Sequence, residues 1–183
     1  MTNFDYLKKE KEFDSFVDIA IVAEKTYKID ANTCIVNCRR AMEAAIKWMF
    51  SIDNELVVPY KNNLNSLMHV DNFKDIVDYD LWRRLEFIRK YGNEAAHTAK
   101  DKAKDVAKLC LENLFCFFDW ISCCYGSEYE EKEFDESLLE NNDISTIVET
   151  IGDVDLQTLI EENKSLKEEL SARRFERQDS YVV

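Results

Sequence analysis

Only three glycines and one proline interrupt this chain of 183 residues. Tight hairpins lean on glycine, or on Asn-Gly and Asp-Gly pairs, to reach positive φ. A chain this poor in them has few places to fold back through a sheet. Helix interiors need neither residue and are weakened by both. The expected fold class is therefore all-α, a small helical bundle. Apolar residues make up 46% of the chain, enough for a real core.

Hydrophobic spacing places the helices. Residues 10–28 carry Phe13, Phe16, Val17, Ala20, Ala23, Glu24 and Tyr27 on one broad stripe. Residues 1–9 add a short turn that docks Phe4 and Tyr6. Asp30 is placed to cap a second helix, Ala31 to Ser51, whose buried side holds Cys34, Cys38, Met42, Ala45 and Met49. Asp53 to Asn63, with Pro59, reads as a loop. Two short pieces follow, Leu64 to His69 and Asn72 to Val77, the second with Asp71 as its cap. A further helix is expected from Asp80 to Tyr91, stopped by Gly92 in a left-handed conformation. Thr98 opens a capping-box-like start for a long helix that runs to Tyr125 and ends at Gly126.

Charge divides the chain. Residues 1–125 carry 18 basic and 20 acidic side chains, whereas residues 126–183 carry 6 and 17. A broad basic face for nucleic acid is not suggested. Arg39-Arg40, Arg83-Arg84 and Arg89-Lys90 form local positive pairs. The expected organisation is a bundle over 1–126, an acidic linker over 127–154 and a C-terminal helix with its tail over 155–183. In that last part Leu156, Leu159, Asn163, Leu166 and Leu170 step by 3, 4, 3 and 4, the seam of a two-stranded coiled coil. A homodimer through that seam, or a helix folded back on its own bundle, would each use it. No 18-residue apolar run and no apolar signal core occur, so a cytoplasmic protein with reduced thiols and no membrane span is expected.

The segment Ile88 to His97 is the best place for chemistry. His97 precedes the proposed cap of the next helix, whose dipole would favour a neutral imidazole able to accept a proton. Asn93 lies one turn earlier and Arg89 one turn before that. Arg89 would stabilise developing phosphate charge. In the structural alternative, Asn93 caps backbone groups and His97 bonds across the bundle. Arg39 and Arg40 can each reach Glu43 along their helix. With Lys90 they are the candidates for nucleic-acid contact. His69 is expected at the surface or in a cap. Cys34, Cys38, Cys123 and Cys124 lack zinc-knuckle spacing, so no metal and no cofactor are expected.

Several patches in order carry a family resemblance. These are Asn3-Phe4-Asp5-Tyr6-Leu7, Cys38-Arg39-Arg40-Ala41-Met42-Glu43 with Trp48, Pro59-Tyr60, Phe87 to His97, Asn113-Leu114-Phe115 and Asp119-Trp120. Together they resemble the helical domain of unknown function at the N-terminus of type I restriction enzyme R subunits and related DEAD/DEAH-box helicases. That domain is grouped with the HEPN superfamily. The resemblance implies a HEPN-like bundle followed by an acidic connector that leads to a motor or nuclease. The chain holds no GxxxxGK[ST] loop of its own and reaches Val183 where such a motor would begin. It is expected to be a piece of a larger protein or a free-standing relative.

Catalytic members of the superfamily are metal-independent ribonucleases with an Arg-Asn-x-x-x-His pattern shared across a dimer. The resemblance lays Asn93 and His97 on the asparagine and the histidine, but Gly92 stands where the arginine belongs. Arg89 is eight residues from His97, about 12 Å on a regular helix. The expected function is therefore a non-catalytic accessory or assembly domain of a restriction or helicase defence system. Its expected partners are motor, nuclease, methylase or specificity subunits, with weak nucleic-acid contact. The alternative is a HEPN ribonuclease, of defence or toxin type, using His97, Asn93 and Arg89 or a partner-chain arginine.

Overall fold

The computed structural model describes residues 1–97 and 104–141, and among these there are helices and turns but no strand. Two 3-10 turns, Asp5–Lys9 and Lys11–Phe13, lead into helix α1, Asp14–Thr26. Helix α2 spans Ala31–Ile52. Asp30 starts it as its sequence suggests, with Oδ1 accepting from the Asn32 amide at 2.9 Å and Oδ2 from the Thr33 hydroxyl. Such a cap contributes about 1 kcal/mol. Cys34, Ile35, Cys38, Ala41, Met42, Ala45, Ile46 and Met49 are all buried on α2. That stripe is wide enough to serve several neighbours, which is why α2 packs against α1 and later elements alike.

Helix α3, Leu64–Met68, is capped by Asn63, and α4 covers Asp71–Val77. Asp71 is not the cap that the sequence suggests. It is already helical, and Val70, in extended backbone, precedes it without a side-chain cap bond. Asp71 still places negative charge in the first turn, where the helix dipole favours it.

Helix α5, Tyr79–His97, contradicts the expected stop at Gly92. Gly92 lies inside the helix and no glycine has positive φ among the described residues. The reason for glycine is spatial. A Cβ there would come within 2.5 Å of Arg39 Cβ and 2.6 Å of Arg39 Cδ, so α2 and α5 touch backbone to side-chain stem. Helix α6, Lys104–Tyr125, packs against both α2 and α5. It ends at Gly126 as expected. The Gly126 amide donates to Ser122 O at 3.0 Å, and a Cβ would meet that same oxygen at 2.4 Å.

An aromatic cluster joins the N-terminal turns to α1, α2 and α6. Phe16 meets Phe118 at 5.0 Å, Trp48 meets Phe13 at 5.3 Å, and Phe4 lies against Phe115 and Phe118. Each buried phenylalanine contributes about 1.5–3 kcal/mol. The compact unit runs past Gly126 to Asn141. Ser127 bonds to Glu10, Phe134 packs on Phe115 at 5.6 Å, and Leu139 in the short α7, Ser137–Asn141, is buried. Residues 98–103 and 142–183 lie outside the described residues, and with them the Thr98–Asp101 start and the Leu156, Leu159, Asn163, Leu166 and Leu170 seam.

Candidate functional site

Because α5 does not break at Gly92, Arg89, Asn93 and His97 stay one turn apart along a single face. The regular rise keeps Arg89 and His97 about 12 Å apart along the axis. Arg89 is occupied. Its Nε donates to Glu86 Oε2 at 2.7 Å and its Nη2 to Glu86 Oε1 at 2.5 Å. These bonds hold the Glu86 carboxyl below its usual range and raise the arginine further. The fork-to-fork geometry fixes the guanidinium toward the start of α5, away from His97.

Asn93 is half-buried and His97 exposed. No hydrogen bond or ion pair joins His97 to another described residue. His97 is the last described residue of α5. The cap expected right after it, Thr98, lies outside the described residues.

The second helix supplies the nearest other cations. The Arg39 stem lies on Gly92 and its Nη2 is 3.7 Å from Glu43 Oε2. Its Nε is buried with no hydrogen-bond partner among the described residues. Arg40 is exposed and donates to Asn37 Oδ1 at 3.2 Å, so of the two arginines only Arg39 pairs with Glu43. Lys90 lies 5.7 Å above the Tyr91 ring. Arg84, beyond them on α5, donates to the buried Asn113 of α6 at 3.0 Å. His69 ends α3, with Nδ1 2.7 Å from Asn65 O and its ring edge-on to Trp82, a capping role as expected.

Cys34, Cys38 and Cys110 are buried, whereas Cys123 and Cys124 are exposed. Among the described residues no three His, Cys, Asp or Glu side chains are grouped to hold a metal ion. Burial pushes the Cys38 and Cys110 thiols up, so neither offers a thiolate.

Sequence reasoning passed over the most perturbed carboxyl in the bundle. Glu24 is 1% exposed. Its two oxygens accept from the Asn3 amide at 3.1 and 3.0 Å, and Oε1 also accepts from Asn3 Nδ2 at 3.2 Å. Burial, opposed by these bonds, pushes its pKa up to about 7. The signal was present: a carboxylate stood on the otherwise apolar stripe of α1.

The described residues form a small all-helical bundle. A family model described as a domain of unknown function, DUF4145, matches residues 22–142, and the chain belongs to that family. The match closes where the compact unit does. Neither the curated proteins nor the solved structures yield a match. No described helix is long and apolar enough to cross a membrane.

Proposed function

We propose that this bundle is a non-catalytic assembly domain of a type I restriction or DEAD/DEAH-box helicase defence system, built on a HEPN-like frame. The observation that carries the reading is the commitment of Arg89. Its guanidinium grips Glu86 on a helix that runs straight on to His97. Metal-independent phosphodiester cleavage needs a base and a cation converging on one phosphate. Arg39 points its head at Glu43 and Arg40 at Asn37, so neither supplies that cation to the imidazole from α2. The exposed charges of Arg40 and Lys90 suit peptide contact and weak contact with nucleic acid.

In this reading the protein works in the cytoplasm as a homodimer through Leu156, Leu159, Asn163, Leu166 and Leu170, beside motor, methylase or specificity subunits. Deleting residues 155–183 then lowers the mass measured by light scattering. Purification from the native host through a chromosomal tag tests the assembly role. Recovery of a restriction motor, methylase or specificity subunit in stoichiometric amount supports it. A chain that migrates alone, or only with itself, overturns it.

One observation favours the ribonuclease alternative. His97 is exposed with Asn93 one turn earlier, which leaves room for an arginine from a second copy. In that case RNA cleavage in EDTA would require dimerisation.

A further inference from the structure

The loop between α2 and α3 is anchored at its base and bare at its tip. Asp53 holds the base. Its Oδ2 accepts from the Tyr125 hydroxyl at 2.7 Å, its Oδ1 from the Glu55 amide at 2.9 Å and its carbonyl from the Leu56 amide at 3.2 Å. The Glu55 carbonyl accepts from Asn72 Nδ2 at 2.9 Å, and Leu56 is buried. At the far end Asn63 caps α3. Between these anchors Val57 and Val58 are 70% and 50% exposed and Tyr60 is fully so. No amide or carbonyl of residues 57–62 hydrogen-bonds to another described residue. Residues 56–59 are neither helical nor turned, none has positive φ, and Pro59 biases Val58 toward extended backbone. An apolar stretch with an unpaired, extended backbone is a template for a second strand.

We propose that this stretch pairs with itself in a second copy of the chain, as a symmetric antiparallel ribbon centred on Val58. The sequence is self-complementary about that residue. Val58 opposite Val58 of the second copy sets Glu55 opposite Lys61, Leu56 opposite Tyr60 and Val57 opposite Pro59, each pair repeated by symmetry. Glu55 and Lys61 carry the only charges in 55–61, they are opposite in sign, and neither has an ion-pair partner among the described residues. The same symmetry lays each bare Tyr60 across from a Leu56, an aromatic–aliphatic pair that covers a ring the single chain leaves in water.

Pro59 fits one phase of this ribbon. Residues of an antiparallel pair alternate between hydrogen-bonded and non-bonded positions. With Val58 in a bonded pair, Pro59 falls in a non-bonded one. The opposite phase would ask Pro59 for a donor that it lacks. The Leu56 amide already donates to Asp53. The ribbon is then joined by mutual bonds between the Val58 peptides and by the Tyr60 amides donating to the Leu56 carbonyls. A ribbon this short is marginal alone, so the association is weak and grows with concentration. It depends neither on the assembly role proposed above nor on the C-terminal seam.

Sedimentation equilibrium of the intact chain, at low salt and over a range of concentrations, reads the contact. The mass is expected to climb with concentration. Glu55→Lys and Lys61→Glu each set like charges across the ribbon and are expected to weaken the association by about tenfold. The double variant restores both pairs and is expected to return the association to that of the parent. Val58→Pro removes the two central donors and is expected to weaken it by about tenfold or more, whereas Val57→Pro, at a non-bonded position, costs much less. The charge variants are expected to keep the parent's unfolding midpoint, since both side chains are exposed. The proposal is overturned by a mass that does not change with concentration, which is also what a loop reserved for another protein's sheet edge would give. It is equally overturned by an association that none of these variants alters, as a contact through the C-terminal seam alone would give. A double reversal as weak as the single ones, or equal losses in Val57→Pro and Val58→Pro, would overturn it too.

Discussion

Two charged residues, Glu24 and Arg89, are satisfied in opposite ways. Arg89 lies on the surface of α5 and meets its own counter-ion three residues away. Glu24 lies inside and has no counter-ion side chain, only donors from Asn3 and a distant N-terminal amine. The first arrangement is local, contributes little to stability and makes the cation unavailable. The second couples distant parts of the chain and makes stability answer to pH. A pattern search fixes on the first because arginine, asparagine and histidine recur at helical spacing. The structure concentrates its perturbed chemistry in the second.

The largest effect is expected from Glu24→Ala. It strips the acceptor from two buried donors of Asn3 and should cost about 2–4 kcal/mol in denaturant unfolding. A smaller loss than about 1 kcal/mol would erase the contrast with Arg89. In the parent chain the Glu24 contribution should be fully present below pH 4.5, fall as pH rises to about 7 and change little beyond. A pH series of midpoints, compared with Glu24→Gln, isolates that slope.

Next comes the junction before α5. Asp78 has φ 58° and ψ 171°, a region that costs a non-glycine residue about 1–3 kcal/mol. Its Oδ1 also caps the helix by accepting from the Leu81 amide at 2.9 Å. Asp78→Gly should therefore be more stable than Asp78→Ala by about 1–2 kcal/mol, since glycine relieves the backbone and alanine only removes the cap. Equal midpoints for the two variants would contradict the strain.

Gly92→Ala sharpens the packing side of the comparison. Alanine gains about 1 kcal/mol of helix propensity, but its methyl must displace the Arg39 stem at about 1–3 kcal/mol. A net loss of about 1 kcal/mol by thermal unfolding is expected. A gain would mean that α2 and α5 do not meet so closely. The smallest effect belongs to Glu86→Gln, about 0.3–0.5 kcal/mol, as for other exposed pairs on one helix. A loss as large as that of Glu24→Ala would collapse the distinction between the two sites.

Much of the frame was legible because it depends on neighbours in sequence. The Asp30 cap, the wide stripe of α2 and the end of α6 at Gly126 all follow from residues within a turn or two. Gly92 was misread because one residue type serves two purposes. A glycine after Tyr91 reads as a stop, and only the Arg39 stem, from another helix, explains why it is a contact instead. Asp78 carried no signal of its left-handed backbone, which the α4–α5 junction imposes. At the candidate site the spacing of Arg89, Asn93 and His97 was readable, but the Glu86 fork that occupies Arg89 was not singled out. Glu24 was visible as an odd carboxyl on an apolar stripe. Its partner Asn3 lies too far along the chain for any local pattern to supply.

The central claim is that the exposed imidazole on α5 has no guanidinium to work with among the described residues. Incubating the intact chain with RNA in EDTA, beside His97→Ala checked for folding, tests it most directly. The account predicts no cleavage above the buffer control from either protein. Metal-independent cleavage by the parent chain that vanishes in His97→Ala would contradict it.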